Sequence, residues 1–290
     1  MAKTGFVGFG NMGSVLMKSL LASKGLLPQE TWVYTRSPEK LKPLLDQYPQ
    51  VKIAASAEDA ARDSSHLFIC TGTYDVKTVL EKAAPFASNG LHVITISAGL
   101  ELAVLETVFP GKITRIMPTM LAEVNEGVTL IAHNEKVGAA DSAALTALLG
   151  HVNEVVHVDE SQFEIGSDLT SCAPAFIAEM ITLYARAAEK HSHYSFQDAD
   201  RMFKKTIAGT LKLLEQRKET SSDLVHRVAT KGGSTEAGIL VLRSALPEVF
   251  DTMLKKTIEP QIARKKHTRH QFGVQETPAQ KEPLQRHAAP

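Results

Sequence analysis

Residues 4–23 read TGFVGFGNMGSVLMKSLLAS. An apolar run, Thr4–Phe9, passes through Gly8, Gly10 and Gly13 into a stretch with Val15, Leu16, Leu20 and Leu21 at helical spacing. The first part reads as a buried strand and Asn11–Ser23 as a helix. Glycine is costly in either element because it loses the most backbone freedom on folding. Three of them at a strand-to-helix turn answer a specific demand. In a GxGxxG turn the first glycine permits the tight turn and the second lets a pyrophosphate approach the backbone. The third lets helix pack close against strand. The unpaired N–H groups of the helix start then face the phosphates. The motif alone is a weak signal; between a strand and a helix it is strong. Gly8, Gly10 and Gly13 are therefore expected to hold a dinucleotide, with Asn11 and Met12 as backbone and wall contacts to it.

The end of the next strand decides which dinucleotide. Thr31–Thr35 (TWVYT) is rich in β-formers, and Arg36-Ser37-Pro38 follows. Sites for NAD place an Asp or Glu there to hold the ribose 2′-OH. This chain has a guanidinium and a hydroxyl instead, which suit a 2′-phosphate. Arg36 and Ser37 thus predict NADP(H). Ser37 also reads as the cap of a helix with Pro38 in its first turn.

Outward from this turn, strands are predicted at Lys52–Ala55, Leu67–Thr71, Leu91–Ser97, Ile113–Met117 and Gly127–Ala132, alternating with helical stretches. That order implies a mostly parallel, doubly wound α/β sheet covered on both faces, complete by about residue 150. From Ser161 to Arg264 strand signals vanish. Long helical patterns cover Gln162–His191, Ser195–Arg217, Ser221–Ala229 and Thr235–Arg264, the last broken by Pro247 and Pro260. The division expected is a nucleotide-binding domain over 1–158, a helical domain over 159–264 and a mobile basic tail over 265–290. The helical domain carries broad apolar faces, as at Phe176, Ile177, Met180, Ile181, Leu183 and Tyr184. Such faces pack on more than one neighbour, so a dimer through this domain is expected.

With 290 residues, 43% of them hydrophobic, the chain can bury two sizeable cores. Its formal net charge of zero gives no reason to expect nucleic acid or membrane partners. Two cysteines, Cys70 and Cys172, make neither a disulfide framework nor a metal cluster, and Cys172 reads as an inert buried thiol. No run approaches the length of a membrane span, and the glycine-broken N-terminus does not read as a signal peptide. The expected compartment is the cytoplasm. The histidines are scattered; His191 and His193 read as surface residues, and no metal site is expected.

Two later stretches are specific. DLTSCAPAFIAEM (Asp168–Met180) and VATKGGSTEAGILVL (Val228–Leu242) resemble signature segments of the pyrroline-5-carboxylate reductase family. RIMPTMLAEVNEGVT (Arg115–Thr129) resembles the segment closing that family's nucleotide domain. With GFGNMG and Arg36-Ser37, the likeness spans about residues 4 to 255 in one order. It implies an N-terminal Rossmann-type domain, a helical intertwined dimerisation domain, and NADPH- or NADH-dependent reduction of 1-pyrroline-5-carboxylate to proline. The resemblance also places Thr71, Gly72, Met117 and Pro118 near the cofactor, the last two beneath the nicotinamide. Departures are visible too. Thr119 stands where the family has Asn in MPNTP, Thr71-Gly72-Thr73 where it has VKP, and Thr170–Ala175 (TSCAPA) where it has SGSGPA. SCAPAF and KGGSTEAG resemble the divergent late-competence (ComER-type) branch of that family.

Reducing a cyclic imino acid needs its carboxylate held, its carbon against the nicotinamide, and its nitrogen protonated or hydrogen-bonded. Lys231, Gly232, Gly233, Ser234 and Thr235 precede and open a helix, a geometry that binds a carboxylate. The resemblance gives Thr235 the ring nitrogen and thus the catalytic role. An alternative reading is that Ser234 or Thr235 simply caps the helix. At the level of the whole protein, the alternative is a non-catalytic or regulatory NADP-binding paralogue of late-competence type. A hydroxyacid dehydrogenase is disfavoured because Lys190 and Lys204 lack the glycine context of a catalytic lysine.

Overall fold

The structure, a computed structural model, describes residues 3–274. The chain divides into two compact units, one formed by residues up to Ser171 together with those from Ile258 on, the other by Cys172–Thr257.

The first unit begins with β1 (Thr4–Val7), α1 (Asn11–Ala22), β2 (Thr31–Tyr34), α2 (Lys42–Gln47), β3 (Lys52–Ile53) and α3 (Ala57–Arg62). It continues through β4 (His66–Ile69), α4 (Val76–Ala83), β5 (His92–Thr95), α5 (Leu102–Glu106) and β6 (Lys112–Met117). It then adds β7 (Val128–His133), α6 (Ala139–Leu149), β8 (Glu154–His157) and α7 (Phe163–Ser167). The strands form one sheet in the order β3-β2-β1-β4-β5-β6-β7-β8. Only β6 and β7 run antiparallel; the other pairs are parallel. Strand side chains alternate between the faces, so adjacent residues feed two cores. Phe6, Leu16, Val33, Phe68 and Ile94 fill one, and Val7, Ile69, Leu80, Val93 and Leu105 fill the other. Phe6 and Phe68 stack across β1 and β4, with centroids 4.8 Å apart and planes 8° off parallel. The sheet grows outward in both directions from β1 and β4, so the crevice at their C-terminal ends is where such folds bind ligands.

The second unit comprises α8 (Ala173–Lys190), α9 (Phe196–Arg217), α10 (Ser221–Val228) and the first part of α11 (Ser234–Phe272). Tyr184 and Phe203 stack between α8 and α9 with centroids 4.0 Å apart. Ser195 and Thr220 cap α9 and α10 through their side-chain oxygens. Much apolar surface stays uncovered, including Leu183, Tyr184, Leu211, Leu240, Val241 and Leu242.

Four expectations change. The sheet is not complete by residue 150, because Glu154–His157 adds an eighth strand beside β7. The first unit extends past 158: Phe163 is buried in its core, and the Glu160 carboxylate accepts from the buried Arg115 and from the Leu102 amide. Pro247 and Pro260 do not break α11, which runs 39 residues. A proline removes one hydrogen bond and crowds the preceding turn; the many other bonds of so long a helix carry it past both sites. Finally, residues 265–272 are not a tail. They are the last turns of α11, and they dock on the first unit. Arg269 Nε and Nη2 donate to the two Glu101 carboxylate oxygens at 2.6 and 2.7 Å. Thr268 Oγ1 donates to Gly99 O at 2.7 Å, Lys265 Nζ reaches Glu164 at 2.6 Å, and Phe272 enters the core. Residues 275–290 of the expected tail lie outside the described residues.

Three histidines of the first unit, His66, His92 and His133, prove to be grouped. His92 Nε2 lies 2.6 Å from Thr114 Oγ1, which lies 2.7 Å from His133 Nδ1. His133 Nε2 continues to Ser142 Oγ at 2.9 Å, and His66 and His92 face each other with ring centroids 5.6 Å apart. Burial pushes His92 down to about 3, helped by the neighbouring His66, and holds His66 and His133 below the usual histidine range.

Two outcomes follow. Phe272→Ala should lower unfolding free energy by about 3–5 kcal/mol, read from urea midpoints; a neutral result would mean the segment behaves as a tail. His92 is neutral in the fold and titrates near 6.5 when unfolded. Stability is therefore intact above that value and lost as pH falls below it, because only the unfolded chain gains a proton. From about pH 7 to about pH 5 the loss from this residue is about 2 kcal/mol, and His92→Gln should flatten the slope. Equal midpoints at the two pH values would refute the assignment.

Candidate functional site

A cleft of about 330 Å³ opens at the C-terminal ends of β1, β2 and β4. Its walls come from Val7–Gly10, Tyr34–Ser37 and Cys70–Gly72, with Lys40, Asp75 and Lys82 at the sides. The three glycines of the turn do different things. Gly8 has φ +101°, and a Cβ there would lie 2.6 Å from Cys70 O. A Cβ on Gly13 would lie 2.7 Å from Cys70 Cβ. Both are glycine because the protein itself leaves no room. Gly10 is the opposite: nothing stands within 4 Å of where its Cβ would be. The fold does not need a glycine there, whereas a group lying on the backbone would.

Two further observations fit a phosphate-bearing ligand. No side chain caps α1, and its first turn holds no acid, so the positive end of the helix, beginning just after Gly10 of the cleft wall, is left uncompensated. The Thr71 hydroxyl is buried without a hydrogen-bond partner, although such groups are usually paired. Cys70 beneath the turn is a wall: burial pushes its thiol up to about 12, which makes it unreactive. Arg36 Nη2 lies 3.0 Å from Asp75 Oδ2 across the cleft. Ser37 precedes a 3₁₀ turn, Pro38–Leu41, but its side chain does not cap it; its amide instead leans on Thr35 Oγ1 at 3.4 Å. The expected cap role for Ser37 is thus not observed: its backbone, at φ −122° and ψ 76°, is not in the extended conformation of a capping residue.

Of the residues assigned to the cofactor, Gly8, Gly10, Arg36, Ser37, Thr71 and Gly72 line this one cleft. Asn11, Met12 and Gly13 begin α1 behind it. Met117 and Pro118 sit at the end of β6 and are buried, outside the cleft's lining. Sequence reasoning missed Lys40, Lys82 and Asp75. A basic residue four positions after Arg36 was a readable signal for Lys40; nothing in the local sequence marks the other two.

Lys231, Gly232, Gly233, Ser234 and Thr235 lie together in the second unit. Gly232 has φ +75°, which explains its identity. The loop's amides are partly in use. Gly232 N donates to Glu236 Oε2 at 2.7 Å, and Gly233 N donates to Thr230 O at 2.9 Å. Glu236, rather than Ser234 or Thr235, thus reaches back over the helix start. Lys231 and Thr235 are exposed. His191 and His193 are exposed as well. Among the described residues no helix is long and apolar enough to cross a membrane.

Comparisons with known proteins bear on both units. A family described as pyrroline-5-carboxylate reductase dimerisation matches residues 160–265, and one described as NADP oxidoreductase, coenzyme F420-dependent, matches residues 3–99. Pyrroline-5-carboxylate reductase 3 of Bacillus subtilis is 30% identical over 259 residues, covering 89% of this chain and 95% of that protein. ComE operon protein 4 of the same organism is 29% identical over 255 residues, covering 88% and 93%. Among solved structures, the Plasmodium falciparum pyrroline carboxylate reductase with NADP bound matches with a TM-score of 0.78 at 20% identity, over 93% of this chain and 98% of that one.

The contrast between the glycines is testable without ligand. Gly13→Ala should cost roughly 1–3 kcal/mol through overpacking against Cys70. Gly10→Ala should cost under about 1 kcal/mol, the difference between residues at a helix cap. Equal losses in thermal unfolding would contradict the division of roles.

Proposed function

The chain belongs to the pyrroline-5-carboxylate reductase family of oxidoreductases, and from that premise we propose that it reduces a cyclic imine, 1-pyrroline-5-carboxylate to L-proline, with NADPH. The observation that carries this reading is the open space over Gly10, beside the unpartnered Thr71 hydroxyl and a cleft side bearing Arg36, Lys40 and Lys82. When bound, the nicotinamide supplies the hydride.

The chain's own residues would do the rest. The Gly8–Gly10 turn and the first amides of α1, from Asn11, Met12 and Gly13, take the pyrophosphate. Arg36, with Ser37 and Lys40, takes the 2′-phosphate. Thr71 and Gly72 border the same cleft, and Met117 and Pro118, at the end of β6, would lie beneath the nicotinamide. On the substrate side, Lys231 offers a cation and the glycine loop its shape. Because Glu236 and Thr230 already engage the Gly232 and Gly233 amides, the substrate carboxylate is left to Lys231 and the first amides of α11, at Ser234 and Thr235. Thr235 Oγ1 then donates to the ring nitrogen, where the electron pair develops as hydride reaches the carbon. The uncovered apolar faces of the second unit support a homodimer or higher homo-oligomer built through it, and two free cysteines suit the cytoplasm.

A second reading has its own observation. Thr119, in the position of the family's Asn, is fully buried, and its Oγ1 accepts from Leu121 N. A side chain spent on the next turn does not reach a ligand. That favours a non-catalytic, NADP-binding paralogue acting through its helical unit.

Purified protein with NADPH and pyrroline-5-carboxylate separates the two. Oxidation of NADPH is expected, with Thr235→Ala lowering kcat/KM by about a hundredfold. Arg36→Asp should weaken NADPH and spare NADH. Binding of NADPH with no turnover on any of a panel of cyclic imines would support the paralogue and sink the reductase.

A further inference from the structure

The cleft carries its own anion. Arg36 and Asp75 line it from opposite sides, the first after β2 and the second at the end of the 3₁₀ turn Thr73–Asp75. Arg36 Nη2 and Asp75 Oδ2 are 3.0 Å apart. A phosphate approaching Arg36 therefore meets a guanidinium that already has a carboxylate.

The two partners are anchored differently. The Asp75 amide donates to Gly72 O at 2.9 Å. Its neighbour Tyr74 is strapped by the end of α11: Gln271 Nε2 donates to Tyr74 O at 2.7 Å, and the His267 ring packs edge-on at 4.7 Å. Lys77 Nζ closes the strap by donating to Gln271 O at 3.0 Å. The Arg36 side chain, on a loop, is 78% exposed against 45% for Asp75. Arg36 is thus the partner that moves.

Resting on the reading of this cleft as a nicotinamide-dinucleotide site, we infer that Asp75 is a specificity-determining residue that competes with the 2′-phosphate for Arg36. When the phosphorylated cofactor binds, the guanidinium leaves Asp75, and the carboxylate remains beside a phosphate of like charge. When the unphosphorylated cofactor binds, Arg36 stays with Asp75, and the carboxylate is free to accept from a ribose hydroxyl, as acids do in NAD sites. Asp75 thereby narrows the preference between the two cofactors. Lys40 and Lys82 keep the cleft basic, so phosphate binding survives the competition.

The size of the effect is bounded. An exposed ion pair shifts an equilibrium by less than tenfold, so about fivefold is expected here. Dissociation constants for NADPH and NADH, read from cofactor fluorescence, test it on the full chain, Asp75→Asn, Arg36→Ala and the double variant. Asp75→Asn should tighten NADPH about fivefold and leave NADH unchanged or weaker, an effect that shrinks in high salt. In the Arg36→Ala background the gain should fall below about twofold, as expected of coupled neighbours. If Arg36→Ala lowers the NADPH preference but Asp75→Asn leaves it unchanged or reduced, the role given to Asp75 is wrong and the cofactor reading stands. If Arg36→Ala leaves the preference unchanged, both fall.

Discussion

Cys70 stands where two side chains would have to be. Its carbonyl blocks a Cβ on Gly8, and its own Cβ blocks one on Gly13. This close approach of α1 to the end of β4 holds the start of the helix against the strand ends. The crevice, its walls and the spacing of the residues that border it follow from that one contact. Cys70 is suited to the place because it is small, buried and unreactive. Gly10, between the two, is released from any such duty.

The sheet then distributes the chemistry. One face of β1 and β4 is sealed by the stacked Phe6 and Phe68, so polar groups can converge only at the strand ends. The C-terminal ends carry the cleft. The His66 and His92 ends carry a chain of imidazoles and hydroxyls that is neutral by burial. The same sheet therefore keeps a basic cleft at one end of its strands and, at the other, buried neutral imidazoles beside the Lys112–Asp141 ion pair.

The GFGNMG turn was legible because strand, glycines and helix follow one another within twenty residues, and each has a local cause. Arg36 was legible as a cation at the right place, although its partner Asp75 was not, since the pairing spans 39 positions. The eighth strand, Glu154–His157, was missed because it is short and at the sheet edge, with polar ends and little burial. The end of α11 was misread for a related reason. RKKHTRHQF reads as a solvated basic run by composition, yet Lys265, Thr268, Arg269 and Phe272 recur at the spacing of one helix face. They are mostly polar because their partners, Glu164, Gly99 O and Glu101, are polar. Apolar periodicity does not detect a face that binds through charge.

That docked end also gives the first unit an unusual order of assembly. The Thr268–Gly99 bond joins residues 169 positions apart, with the whole second unit between them. A ribosome adding about 5–20 residues per second delivers the sheet well before it delivers Arg269 and Phe272. The nascent nucleotide-binding unit must wait, with Glu101 and its adjoining core edge unfilled, until the helical unit has been synthesised. Its final closure is thus coupled to completion of the helical unit, and any truncated product would display the unfilled seam to the cell's quality-control machinery.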